Sequence, residues 1–326
     1  MGMITYIHEE KQVPLAKIKL DFQNIPYGPD TSQRFDMACG KKDVHAIVYI
    51  HGGAYFTGNR VQYPSFLADY IGSNLFATMD YRVLGCPPAW MTEDMVNADN
   101  DTNMGDILSD VNAALIKITG LSKENGISIK DFILVGHSAG GHIALLYGYK
   151  NFQQNERIKI AACVSLAGPT DFTDDTGWSS MGMWGKDISE RLTFLSWMGT
   201  RLTDYKRLTG NAMELTQYNW TKQRNYSAYR KHIEDISPVS YVSKTGKVPP
   251  TLLVHARSDD QVPYSNPLRL KTLLDNTSIP HKLITACGLA NTHMLGGESY
   301  SENSPIMFIN QTWVKEAKEW LETYLG

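Results

Sequence analysis

A serine between two glycines, Gly136-His137-Ser138-Ala139-Gly140, follows the apolar run FILV and leads into HIALLYGY. A serine hydroxyl is a weak nucleophile until a base takes its proton and donors receive the charge that develops on the attacked oxygen. Small residues on both sides let the backbone turn sharply from strand to helix and lift the serine to the strand's end. Ser138 is therefore read as an acyl-transfer nucleophile. A second glycine-bearing segment offers the donors. The run AIVYI ends in His51-Gly52-Gly53-Ala54-Tyr55, where glycines permit a backbone that turns successive N–H groups to one side. The N–H groups of Gly53 and Ala54, with that of Ala139 at the helix start, are expected to form an oxyanion hole, with Gly52 as the neighbouring alternative. His51 is expected to shape this loop. Tyr55 and His137, beside these residues, are expected on the wall of a substrate pocket.

HGGAY followed by GHSAGG resembles the esterase and lipase branch of the α/β-hydrolases, including hormone-sensitive-lipase-like, feruloyl-esterase-like and kynurenine-formamidase-like enzymes. The likeness runs from about Val44 to the C-terminus. It is extended by MDYRV at Met79–Val83, SLAGPTDF at Ser165–Phe172 and SPVSYVSKTGKVPPTLLVHARSDDQVP at Ser237–Pro263. Two segments depart from it: Ala54 stands where a third glycine is usual, and Gly85-Cys86-Pro87-Pro88 replaces an acidic loop. The resemblance implies a serine carboxylesterase working through a Ser-His-Asp triad and an acyl-enzyme. An amidase, formamidase or peptidase on the same triad is the alternative, and a ligand-binding protein that performs no catalysis is a further one.

Along such chains the triad runs nucleophile, acid, histidine. TLLVHARSDDQVP offers Asp259 and Asp260 after an apolar run. The resemblance puts the acid three residues before Val262, which is Asp259, and turns Asp260 to solvent. Two histidines follow: His281 opens HKLITA, and His293 lies in the loop GLANTHMLGG behind it. Crevices of parallel sheets lie at the carboxyl ends of the strands, so His293 is the expected base. Asp110 and Asp171 are read as structural carboxylates.

These residues need a frame that brings strand ends together. Strands are expected at Ala16–Phe22, Val44–Ile50, Leu75–Asp80, Phe132–Val135, Ile160–Leu166, Thr251–His255 and His281–Ala286. Several are continuous apolar runs, as strands covered on both faces require. Amphipathic stretches at Asp106–Thr119, Ser138–Tyr149, Leu268–Asp275 and Phe308–Tyr324 alternate with them. The expected architecture is one α/β-hydrolase domain over 1–326, a mostly parallel doubly wound sheet. Residues 171–235 show no strand pattern and carry Trp178, Trp184, Trp197 and Trp220 of the seven tryptophans. So long a connection is expected to be a helical cap or lid-like insertion. Trp184 and Trp220 are candidates for an apolar pocket wall that favours small acyl groups.

Composition narrows the partners. With 31 Lys and Arg against 34 Asp and Glu, a net charge of −3 provides no basic face for nucleic acid or anionic membrane. No leader or membrane-spanning run is evident, so a cytoplasmic protein is expected. The four cysteines, Cys39, Cys86, Cys163 and Cys287, form no CxxC pair, and free thiols are expected. Cys163 is read as core and Cys86 as the exposed one. No His/Cys/Asp group has metal spacing; neither metal nor cofactor is expected. The expected partner is a small-molecule ester, and self-association is left open.

Overall fold

The computed structural model describes residues 20–85, 101–152, 157–181, 187–214, 226–297, 304–308 and 311–325. Eight strands form one sheet: β1 (Phe22–Pro26), β2 (Arg34–Ala38), β3 (Asp43–Ile50), β4 (Leu75–Met79), β5 (Ser128–His137), β6 (Ile160–Leu166), β7 (Thr251–Ala256) and β8 (His281–Ala286). Their order is β1-β2-β4-β3-β5-β6-β7-β8. The pairs β1/β2 and β2/β4 are antiparallel, and every pair from β4/β3 to β7/β8 is parallel. β4 and β7 are buried along their whole length, which accounts for unbroken apolar runs in place of alternation. The first strand lies later than the expected Ala16–Phe22, of which residues 16–19 fall outside the described residues.

β2 is an addition to the expected set. Its sequence RFDMA holds an acid that breaks the apolar run, and Asp36 is nevertheless buried, with Arg60 Nε 2.9 Å from its Oδ1. Pairing with a guanidinium lets a carboxylate sit inside a strand.

Helices cover both faces of the sheet. α1 (Met104–Glu124) and α2 (Ala139–Asn151) bury Ile107, Val111, Leu115 and Ile143 against one face, where Ala46, Val48 and Ile50 of β3 point. α9 (Thr312–Leu325) covers the other with Trp313, Ala317 and Leu321, against Ile47 and Tyr49 of the same strand. Alternation of side chains along β3 supplies both cores.

Between β6 and β7 run α3 (Asp175–Ser179), α4 (Ile188–Leu202), α5 (Tyr205–Thr209), α6 (Tyr226–Asp235) and α7 (Pro238–Thr245); α8 (Ser265–Asp275) joins β7 to β8. Aromatic contacts fasten this helical stretch to the body. Trp178 stacks on Phe172 at 5.3 Å and its Nε1 donates to Asp171 O, while Trp197 of α4 meets Phe56 edge-on at 6.0 Å. Trp184 and Trp220, the expected pocket wall, lie outside the described residues.

Cys163 is buried, Cys39 half-buried and Cys287 exposed, all as free thiols. Exposure of Cys287 corrects the expectation that Cys86 alone faces solvent. Cys287 leaves the end of β8 into a loop, whereas Cys86 lies outside the described residues. Among the described residues no helix is long and apolar enough to cross a membrane.

Candidate active site

The end of β5 and the start of α2 meet at Ser138, whose φ of 52° and ψ of −123° are strained for a residue with a Cβ. The turn is held by its neighbours. Ser138 N donates to Leu166 O at 2.7 Å, and His142 N donates to Ser138 O at 3.1 Å. Glycine is obligatory on both sides because backbones touch: a Cβ at Gly136 would stand 2.1 Å from Gly140 O, and one at Gly140 would stand 2.0 Å from Ile50 O. The strand-to-helix turn thus locks against the end of β3.

Behind β3 the expected donor loop abuts the serine. A Cβ on Gly52 would lie 3.1 Å from Ser138 Cβ. Gly53 has φ of +106°, which only glycine adopts freely, and its carbonyl receives Phe56 N and Thr57 N at 3.1 and 3.0 Å. Ala54 and Tyr55 continue with φ of 48° and 69°. Left-handed backbone costs about 1–2 kcal/mol for each such residue with a side chain, so the surroundings must hold it.

Three contacts do so. His51, stacked on Tyr81 at 4.3 Å, donates from Nδ1 to Gly52 O at 2.7 Å. Leu84 N donates to Tyr55 O at 2.8 Å. The Tyr55 hydroxyl donates to His142 Nδ1 at 2.9 Å, because the other nitrogen of His142 spends its proton on Ile236 O at 2.6 Å. Ile236 directly follows α6, so one imidazole ties the loop after β3 to the end of that helix.

His293 brings the site together. Its Nε2 lies 2.9 Å from Ser138 Oγ, and its Nδ1 lies 3.0 and 2.9 Å from Asp259 Oδ1 and Oδ2. A carboxylate can only accept, so Nδ1 carries the proton and Nε2 presents a lone pair to the serine. Asp259 Oδ1 also receives Gln261 N and Val262 N, each at 2.9 Å. Burial alone would raise the Asp259 carboxyl, but hydrogen bonds from His255 and His293 hold it well below the usual carboxylate range. The two loops are cross-tied: Ser258 N donates to Asn291 Oδ1 at 3.0 Å, and Asn291 Nδ2 donates to Ser258 Oγ at 2.9 Å. Trp313 of α9 closes the arrangement by donating from Nε1 to Leu295 O at 3.0 Å.

The rivals go elsewhere. Asp260 is exposed. His281 bonds to Ile279 O and to Asp275 on the surface. Asp110 is bound by Arg82 and Gln33, and Asp171 by Arg269. Tyr55 and His137, the other expected pocket residues, are buried, at 3% and 6% exposure. Left-handed backbone brings the Tyr55 hydroxyl to His142, and His137 Nε2 donates to the His293 carbonyl at 3.1 Å, behind the base rather than before it.

One residue was not singled out in the sequence. His255, in β7, sets its Nε2 3.2 Å from Asp259 Oδ2 and 3.1 Å from Val262 O. The available signal was a histidine near the end of an apolar strand, four residues before the acid.

Two of these supports make stability depend on pH. Burial, with His293 adding to it for His137, pushes His137 and His142 down from 6.5 to about 4. Unfolded, each titrates near 6.5. Between these values the unfolded chain binds more protons, so stability is fully present above about pH 6.5 and is lost as pH falls toward 4. Each histidine contributes on the order of 3 kcal/mol to that loss. Urea midpoints should fall markedly from pH 7.5 to pH 4.5, and equal midpoints would overturn the assignment.

A family model described as BD-FAE matches residues 36–274. Solved structures share the fold at low identity. A truncated carbohydrate esterase from gut microbiota is 16% identical over 93% of this chain and 95% of that one, with a TM-score of 0.59. Esterase B from Lactobacillus Rhamnosis is 17% identical over 93% and 84%, with a TM-score of 0.59. The thermophilic esterase Est2 of Thermogutta terrifontis, solved with propionate bound, is 16% identical over 95% of both chains, with a TM-score of 0.58. No curated protein sequence matches the chain.

Proposed function

Because the chain belongs to the BD-FAE family and has the α/β-hydrolase fold, we propose that it is a carboxylic ester hydrolase that uses Ser138, His293 and Asp259 as nucleophile, base and acid. The observation that carries this reading is the unbroken chain from Ser138 Oγ through His293 to Asp259, each link at hydrogen-bond distance. His293 Nε2 takes the Ser138 proton as the oxygen attacks the ester carbonyl. Negative charge on the former carbonyl oxygen is received by the N–H groups of Gly53, Ala54 and Ala139, with Gly52 beside them. The imidazolium then returns its proton to the alcohol as the C–O bond breaks and an acyl-serine remains. Water, deprotonated by the same nitrogen, attacks the acyl carbon, releases the acid and restores the serine hydroxyl. Asp259 stays ionised throughout and fixes the tautomer.

The preferred substrates in this reading are acetyl to butyryl esters. In this reading aromatic side chains of the stretch between β6 and β7 confine the acyl site; an esterase of the same fold was solved with propionate bound. Each fitting methylene adds only about 0.8 kcal/mol, whereas one that clashes loses the productive pose. A panel of aryl esters of increasing acyl length, run beside formylkynurenine and a peptide anilide, tests both points. Expected are the highest kcat/KM for acetyl to butyryl esters and a steep decline beyond. Faster turnover of formylkynurenine or of the anilide would move the assignment to an amide bond; faster turnover of long-chain emulsions would replace the confined site by an open groove.

A further inference from the structure

Asp259 serves two imidazoles, and only one of them faces the serine. The turn that carries it is irregular: Asp259 N reaches Ala256 O at 3.4 Å, while its side chain takes the amides of Gln261 and Val262. Both amides go to Oδ1, and neither can hold Oδ2 as well. His255 can. It is 1% exposed and anchored in the parallel pair β7/β8, with Thr285 opposite it. Its Nε2 faces two acceptors, Asp259 Oδ2 at 3.2 Å and Val262 O at 3.1 Å. Since neither acceptor has a proton to give, Nε2 carries one. We propose that His255 is a positioning residue, whose strand-borne N–H ties the acid's Oδ2 to the carbonyl of Val262 and so holds the carboxylate plane toward His293.

This inference rests on the reading of Ser138, His293 and Asp259 as a catalytic unit. His255 touches no reacting atom; it acts through Asp259. The charged and titratable groups around it are Asp259, His293, His137 and Tyr264, whose ring lies 6.0 Å away beneath the Arg257 guanidinium. None of these neighbours can replace its bond, for Gln261 N, Val262 N and His293 already occupy Oδ1 and the near side of Oδ2. Without that bond the carboxylate loses a donor that disperses its charge. Its plane is then free to turn from Nδ1 of His293, and the imidazolium that forms during attack is held less well. The acidic limb of kcat/KM should therefore move to lower pH.

Glutamine and asparagine separate this role from mere filling of space. The amide nitrogen of Gln reaches the position of Nε2, and that of Asn stops at the position of Nδ1. His255→Gln is expected to keep kcat within about threefold of wild type with the acidic limb in place. His255→Asn is expected to lower kcat about tenfold with KM unchanged and to move the limb downward by about half a pH unit. Both are assayed on a butyryl aryl ester, with thermal melts alongside. Equal kcat in the two variants, or an unmoved limb in His255→Asn, would overturn the proposal. Labelling of wild-type Ser138 by a fluorophosphonate distinguishes the two levels: no label means that the catalytic reading itself fails, and a label with indistinguishable variants means that only the role of His255 does.

Discussion

Replacing Ser138 by alanine is expected to lower kcat on a short aryl ester by at least about 10³-fold and to leave the fold intact. The loss is large because the three side chains act as a unit: without the Oγ there is no acyl-serine, and only the oxyanion donors and binding contacts remain to assist water. The fold survives because the Ser138 turn is held through backbone atoms, by Leu166 O and His142 N. Alanine carries the same Cβ at the same φ of 52°, so strain is unchanged. Far-ultraviolet circular dichroism and a thermal melt check the fold, and steady-state kinetics check the loss. A Ser138→Ala protein that hydrolyses the ester undiminished would end the covalent mechanism.

Nearly as large a loss is expected at the acid. Asp259→Asn should cost about 10³–10⁴-fold in kcat, or roughly 4–5 kcal/mol of barrier. An asparagine amide can donate to His293 Nδ1. The proton then sits on Nε2, where it meets the serine hydroxyl with a donor rather than a lone pair. Three further bonds suffer, since a neutral amide is a weaker acceptor for His255 and for the amides of Gln261 and Val262. Asp260→Asn is the control, expected within about twofold of wild type because that side chain is exposed. Parallel kinetics on the two variants decide the point, and reversal of the pair would relocate the acid to Asp260.

How much of this could be read in advance follows the range of the interactions. β6 and β8 match their expected bounds to the residue, and for β6 the reason is burial: a parallel strand covered on both faces shows itself as a continuous apolar run. β2 escaped because Asp36 interrupts its run, and the guanidinium that makes the acid tolerable comes from Arg60, 24 positions on. Ser138 and the Gly52-Gly53 loop were legible since their backbone shapes demand glycine locally. The preference for Asp259 over Asp260 came from family likeness; in space Asp259 is the carboxylate that faces His293 and accepts the amides of Gln261 and Val262, while Asp260 is exposed. His255 reads in sequence as a core histidine, and its bond to Asp259 exists only once the turn after β7 closes. The bonds of Tyr55 to His142 and of His137 to the His293 carbonyl were not legible, because chain adjacency does not tell which neighbour a buried ring meets.

The bond from His142 to Ile236 O has a consequence for how such proteins diversify. The helical stretch between β6 and β7 supplies, just after α6, the acceptor that orients His142, and His142 in turn steadies Tyr55 in the loop after β3. A transplanted insertion must therefore return one peptide oxygen to the place of Ile236 O. If it does not, the imidazole is free to flip, its Nδ1 can take up the proton, and the Tyr55 hydroxyl faces a donor. A chimera that misses this joint inherits new helices together with a loosened Gly52–Tyr55 loop.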